Sequence, residues 1–147
     1  LSDFFESESN LWDTKLLATD ISQTALNAAK LGVYSNERLQ DLPLYWRTKY
    51  FIKHDPLNMR VNDQLKRQVI YRRFNLVDDV FPFKSKMHVI FCRNVMIYFD
   101  QKTKDTLVRK LYDLLEPGGY LFIGHSESLN RETTPFKYVK PAVYRKI

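Results

Sequence analysis

An arginine and an asparagine, Arg93-Asn94, stand directly behind a continuous apolar run, Val89-Ile-Phe-Cys92, and a second apolar run, Val95-Met-Ile-Tyr-Phe99, follows them. The β-branched and aromatic residues of the first run predict a strand buried on both faces of a parallel sheet. In open α/β sheets ligands bind just outside the carboxyl ends of the strands. A guanidinium at that point can grip a carboxylate through two parallel bonds. The same two residues can also do no more than end a strand and satisfy loop carbonyls. Tyr98 offers a phenol from the next turn of chain, or one more aromatic ring for a core. A second acid–strand arrangement lies upstream, where Asp20 closes the short apolar run Lys15-Leu-Leu-Ala-Thr19. A carboxylate there can accept bonds from both hydroxyls of a ribose, and an aspartate ahead of a helix is also a common capping device.

These residues need elements to position them, and the pattern supplies candidates. Ser22 predicts the N-cap of a helix through Leu31, closed by Gly32. Asp100 predicts the cap of the next long helix, in which Leu107, Leu111, Leu114 and Leu115 recur at i, i+4, i+7 and i+8. Pro117-Gly118-Gly119 should stop that helix, and Tyr120-Leu-Phe-Ile-Gly124 should be the next buried strand. Phe136–Val139 and Ala142–Arg145 form a predicted ribbon around Pro141. The first 12 residues read as the end of a helix running into a loop. Residues 45–74 have a different texture, with aromatics and basic residues interleaved. A helix over 44–51 leading into a strand, Met59–Val61 and Val69–Phe74 predict a small three-stranded antiparallel subdomain there, joined by the turn-prone His54–Asn58 and Asn62-Asp63.

Composition bounds the class. The 147 residues are 44% hydrophobic and 27% charged, as a soluble globular domain is. No apolar run approaches the roughly 18 residues of a membrane span, so no membrane insertion is expected. The single cysteine, Cys92, lies inside a predicted strand and reads as core in a reducing, cytoplasmic setting. His54, His88 and His125 lack ligand spacing, so no metal is expected. A net charge of +6 favours an acidic partner. Basic residues among aromatics also describe a nucleic-acid surface, but no nucleic-acid motif accompanies them and no nucleic acid is expected.

The decapeptide Phe91-Cys-Arg-Asn-Val-Met-Ile-Tyr-Phe-Asp100 resembles, almost residue for residue, the signature of the CheR family of chemotaxis receptor methyltransferases. Gly32-Val-Tyr34, Asn75-Leu76, the Leu-x-Pro-Gly-Gly break and Gly124-His-Ser-Glu127 extend the resemblance from about Lys15 to Tyr144. It implies a class I S-adenosylmethionine-dependent α/β (Rossmann-like) sheet with an inserted antiparallel β-subdomain at about 45–74, residues 1–147 being a partial catalytic domain. The implied function is protein-glutamate O-methylation of the acidic cytoplasmic domain of a chemoreceptor, leaving S-adenosyl-L-homocysteine. In some members the β-subdomain docks a receptor tail peptide. Carried onto this sequence, the family pattern makes Asp20 the ribose ligand and Asn75-Leu76 the adenine contact. For methyl transfer to a carboxylate, Arg93 is expected to orient the substrate carboxylate, Asn94 to position the donor or the loop, and Tyr98 to steady the methyl group or the carboxylate, with Arg93 and Asn94 also counted as donor contacts. Two other readings remain open, a non-catalytic methyltransferase-like binding module and a nucleic-acid methyltransferase.

The family also has an N-terminal helical domain and a first strand that ends in a glycine-containing loop. The four glycines here are 32, 118, 119 and 124, and none precedes Asp20. The expectation is therefore a sheet incomplete at its first strand, with apolar edges left on the strands of Lys15 and Val89. The residues should then be the C-terminal part of a longer polypeptide, binding the donor weakly or not at all by themselves.

Overall fold

The computed structural model describes residues 1–6 and 13–147. It divides into two compact units, Leu1–Asn75 and Leu76–Ile147. Half of the expected helix-to-loop stretch at the start, residues 7–12, lies outside the described residues.

In the first unit β1 (Leu16–Asp20) leads into α1 (Gln23–Leu31) as the caps require. Ser22 Oγ accepts from the Ala25 amide at 3.2 Å, and Gly32, at φ +64°, donates back to the Ala28 carbonyl at 3.1 Å. That left-handed conformation is nearly free for glycine and costly for other residues. It turns the chain into β2 (Val33–Ser35), and α2 (Leu44–Tyr50) runs into β3 (Phe51–Lys53). The Asp55 carboxylate takes the amides of Leu57 and Asn58 and forms the turn before β4 (Asn58–Val61). Asn62, expected in a turn, caps the one-turn helix α3 (Asp63–Lys66), its side chain accepting from the Leu65 amide at 2.9 Å. β5 (Val69–Arg73) completes the unit.

Pairing corrects one expectation. The antiparallel sheet has the order β2-β4-β3. Val69–Phe74 does not supply its third strand, because β5 pairs in parallel with β1, from Leu16 opposite Val69 to Asp20 opposite Arg73. The apolar start of β5 lies beside the apolar β1, and the Tyr71 hydroxyl reaches the Ala29 carbonyl of α1. The place in the small sheet falls to Val33–Ser35, where Tyr34 meets Phe51 edge to face at 6.1 Å between ring centroids. Alternation alone cannot say which sheet a strand joins, since either partner satisfies the same period.

The second unit is a right-sized βαβ crossover with a ribbon added. β6 (Met87–Cys92) runs parallel to β7 (Leu115–Ile123), and α4 (Gln101–Leu114) connects them. β8 (Lys137–Lys140) and β9 (Val143–Arg145) extend the sheet to the order β6-β7-β9-β8. Asp100 caps α4 as expected, accepting from the Thr103 amide at 2.8 Å, and this bond lowers its carboxyl pKa. Leu107, Val108 and Leu111 of α4 pack with Leu121, Ile123 and Tyr144 of the sheet to form the core. The Pro-Gly-Gly segment does not stop the helix. α4 ends at Leu114, and the segment forms part of β7, bonded to the chain end from Gly118 N–H to the Lys146 carbonyl and from Lys146 N–H to the Gly119 carbonyl.

The strand of Val89 departs from the expected burial on both faces. Cys92 is 5% exposed, yet Val89 is 45% and Phe91 67% exposed. β6 is an edge strand of its sheet, with β7 on one side. Its Ile90 and Cys92 face the α4 core, while Phe91 lies on the other face, stacked on Phe122 at 4.8 Å. In the first unit β1 is likewise paired on one side, by β5.

Two local devices give tests. The Lys146 side chain, in a residue only 9% exposed, closes the end of α4: Nζ donates to the Tyr112 and Leu115 carbonyls at 2.7 and 2.9 Å, over the Tyr112 ring. Lys146→Met should leave two carbonyls without their charged donor and lower stability by about 1–3 kcal/mol in urea unfolding. In the first unit Lys49 binds Asp3 at 2.7 Å and Glu6 at 2.9 Å, and Trp46 Nε1 reaches Asp3 at 3.4 Å. The Lys49 hydrogen bond holds the Asp3 carboxyl down at about 2 against a usual 3.8. A depressed acid favours the attached state above its free pKa and loses that contribution as pH falls through the bound one. Between pH 4 and 2, therefore, the Trp46 indole proton should shift in NMR spectra as residues 1–6 release α2, and in Asp3→Asn it should already be shifted at pH 7.

Candidate functional site

In the first unit, two of the residues singled out in the sequence lie at the carboxyl ends of neighbouring parallel strands. Asp20 is the last residue of β1, exposed, with Oδ1 accepting from the Ser22 amide at 2.8 Å. Ser22, not Asp20, is the cap of α1, so the aspartate holds the strand-to-helix turn from outside the helix. Its carboxylate remains solvent-facing, and a carboxylate has lone pairs for about four bonds. Across the pair, the Asp20 carbonyl accepts from Phe74 N–H at 3.1 Å, and Asn75 follows, half-buried. Parallel strands lie about 4.8 Å apart, so a carboxylate and an amide flank the same end of one strand pair. Such a pair suits a ribose and the base attached to it.

The second unit carries Leu76, Arg93, Asn94 and Tyr98. Leu76 packs half-buried against the α4 core. Arg93 leaves β6 exposed, and its guanidinium makes no hydrogen bond or ion pair with another described residue. Asn94 has φ +58°, a left-handed conformation that asparagine tolerates better than most residues. Met96–Tyr98 form a 3-10 turn that buries Met96 in the core and leaves Tyr98 80% exposed. Tyr98 is thus no core aromatic: the short turn leaves it exposed to solvent.

The residue that holds this loop was quoted in the sequence only as part of Gly-His-Ser-Glu. Glu127 Oε2 accepts from the Gly124 amide at 2.6 Å and the Asn94 amide at 3.0 Å, and Oε1 from the Ile97 amide at 3.2 Å. Bonds from N–H groups to an ionised acceptor are about twice as strong as neutral ones. One carboxylate therefore ties the exit of β6 to the exit of β7. Gly124 is required by this approach, since a Cβ there would lie 2.5 Å from Asn94 Oδ1 and 2.6 Å from Glu127 Oε2. The available signal was a glycine closing a buried strand with an acid three residues later.

Cys92 lies beneath the loop. Burial, followed by the Glu127 charge, pushes its thiol up to about 11, so it is a core residue and not a thiolate nucleophile at neutral pH. Among the described residues no group of three His, Cys, Asp or Glu could hold a metal ion. No helix among them is long and apolar enough to cross a membrane. Within the first unit the Asp20 carboxylate is a hydrogen-bond acceptor open to solvent, and within the second the loop after β6 carries an exposed guanidinium and an exposed phenol.

Residues 1–145 match the family described as CheR methyltransferase, SAM binding domain. The chain is 41% identical over 146 residues to a chemotaxis protein methyltransferase of Borreliella burgdorferi, covering 99% of this chain and 51% of that protein. The chemotaxis protein methyltransferase of Escherichia coli is 36% identical over 134 residues, covering 88% of this chain and 46% of its own length. Among solved structures, PKMT2 from Rickettsia typhi in complex with AdoHcy aligns at a TM-score of 0.47 and 18% identity, over 76% of this chain and 17% of that one. The chain spans about half the length of the curated relatives it matches. With a signature loop that begins at Arg93, the SAM-binding family profile across nearly every residue and a relative at 41% identity, the chain belongs to the CheR methyltransferase family.

Proposed function

We propose that the protein of which these residues form part transfers a methyl group from S-adenosyl-L-methionine to glutamate side chains of the cytoplasmic domain of a chemoreceptor. This is protein-glutamate O-methyltransfer in the cytoplasm, and S-adenosyl-L-homocysteine is the product. The observation that carries the reading is Arg93: an exposed guanidinium with no partner among the described residues, on a loop whose Asn94 and Ile97 amides Glu127 holds, in a member of this family. Asp20 holds the ribose, Asn75 and Leu76 the adenine end, and Asn94 and Arg93 contact the donor from their loop. The exposed Asp20 carboxylate at the end of β1, with the half-buried Asn75 just after β5, supports a nucleoside there.

When bound, the donor supplies a methyl carbon made electrophilic by its sulfonium. A substrate glutamate has a pKa near 4.3 and is already ionised at neutral pH. One carboxylate oxygen bonds to the methyl carbon while the carbon–sulfur bond breaks and its electron pair stays on sulfur, so no proton moves and no general base is needed. Arg93 orients the carboxylate and Tyr98 steadies it or the methyl group. Alignment is the main contribution asked of the protein. Sheet edges at β2 and β3, the latter with Ile52 exposed, support a further role for the small sheet: a receptor tail peptide adds a strand there.

Full-length protein incubated with labelled donor and either a chemoreceptor cytoplasmic domain or RNA tests the reading. Base-labile label on the receptor is the expected result, and label on the RNA, or on neither, would overturn it. In that protein Arg93→Ala should lose most of the transfer rate while donor affinity falls less. A variant keeping half the wild-type rate would remove Arg93 from the role. Asp20→Asn retains an oxygen for the Ser22 amide but loses the charge. Donor binding by calorimetry should weaken about tenfold or more, as loss of a charged hydrogen bond worth about 1.5–3 kcal/mol implies, with the ligand-free Tm little changed. Residues 1–147 alone should show no micromolar donor binding.

A further inference from the structure

The proposed reaction assigns nothing to the segment Gly124-His-Ser-Glu127, although its last residue holds the loop that carries Arg93 and Tyr98. The Asn94 amide belongs to the same planar peptide unit as the Cα of Arg93. With β6 fixed on one side, holding that N–H at 3.0 Å from Glu127 Oε2 sets the one backbone rotation between the strand and the plane. The direction in which the Arg93 side chain leaves the backbone is set with it. The Ile97 amide, 3.2 Å from Oε1, stands one residue before Tyr98. Tyr98 N–H in turn donates to the Val95 carbonyl at 3.2 Å, inside the span that the two clamped amides enclose.

The clamp is itself anchored. Glu127 N–H returns to the Gly124 carbonyl at 3.0 Å and closes a tight turn, while its carboxylate takes the Gly124 amide. Two residues on, the Leu129 amide donates to the Tyr144 hydroxyl at 3.2 Å. Leu129 and Tyr144 are 8% and 4% exposed, so this bond lies in the core and ties the segment to β9. A run of bonds therefore leads from β9 through residue 127 to the backbone beside both exposed side chains. The three amides need an acceptor at each carboxylate oxygen, and an ionised carboxylate supplies two. Glutamine has nearly the same size but places a donor at one of the two positions, against an N–H.

Resting on the function proposed above, we propose that Glu127 is a positioning residue for methyl transfer. It touches neither the donor nor the substrate carboxylate and acts through the Arg93 loop, with Tyr144 as its anchor in the core. Without the carboxylate the loop takes up more backbone states, and the guanidinium is aligned with the substrate less often. The loss falls on the rate of transfer more than on binding.

The test uses the full-length enzyme with a chemoreceptor cytoplasmic domain as substrate and measures kcat, KM and donor Kd together. Glu127→Gln should lower kcat about tenfold or more, the scale on which a displaced positioning group acts, while receptor KM and donor Kd stay within about threefold. Tyr144→Phe keeps the core ring and removes only the hydroxyl, and it should lower kcat in the same sense, by about threefold. A weakened fold alone would not produce the next result. In an Arg93→Ala background either substitution should lower kcat by less than about twofold, because residues that act through one group are not additive. Should Glu127→Gln fail to fold, the cycle of Tyr144→Phe with Arg93→Ala decides. Full kcat in Glu127→Gln, or equal fold losses with and without Arg93, would overturn the positioning role and leave the transfer reaction standing. Unchanged kcat in Tyr144→Phe would overturn the anchor. Failure of the wild type to methylate the receptor would overturn the reaction itself, and the role with it.

Discussion

A single carboxylate receiving three backbone amides organises the functional face of the second unit. Glu127 is bound by Gly124, Asn94 and Ile97, which belong to two separate strand exits. Loops at strand ends have few partners of their own and are mobile unless something fixes them. Here an ionised acceptor supplies the fixing, with bonds of the stronger, charge-assisted kind. The side-chain-free Gly124 suits the approach, since a β-carbon at residue 124 would collide with Asn94 and with the carboxylate itself, and Asn94 beside it has a left-handed backbone. The exposed Arg93 and Tyr98 owe their fixed backbone to a residue that presents no chemistry of its own.

The two units differ in how they are held together. In the second, α4 lies across the parallel pair β6 and β7, and a continuous set of leucines, Ile123, Phe136 and Tyr144 is removed from water. Burial of each such side chain is worth about 1.5–3 kcal/mol, and Lys146 closes the helix end inside it. The first unit buries little, chiefly Leu26, Leu39 and Phe74, and depends more on polar devices: the Ser22 and Asn62 caps, the Asp55 turn and the Lys49 cluster. Edge strands occur in both. Val89 and Phe91 on β6 and Leu16 on β1 are apolar and exposed, the kind of surface that proteins cover when they can.

The chemistry proposed for the family member follows from what such groups can do. Methyl transfer to an ionised carboxylate calls for alignment, not proton transfer, and the loop after β6 offers an exposed cation and a phenol on a backbone that Glu127 holds. Cys92, the single cysteine, is buried and held protonated. A cation that only orients a carboxylate must also leave it reactive, which argues for contact from solvent-exposed positions such as Arg93.

The sequence alone determined a good deal. Caps are local, so Ser22, Gly32 and Asp100 could be read from residue type and spacing, and the α4 stripe and the terminal ribbon followed from periodicity. The decapeptide from Phe91 to Asp100 identified the family, because ten consecutive residues of that kind are seldom met by chance. Tertiary structure decided the rest. Which sheet β5 joins could not be read, since Val69–Arg73 alternates equally well beside β1 or β4. The apolar run of β6 suggested burial on both faces, yet hydrophobicity records only what a strand could cover, and whether a neighbour covers it depends on distant chain. Glu127 was visible as a letter but not as a clamp. Its partners Asn94 and Ile97 lie 33 and 30 residues away, and only the fold brings their amides to one carboxylate.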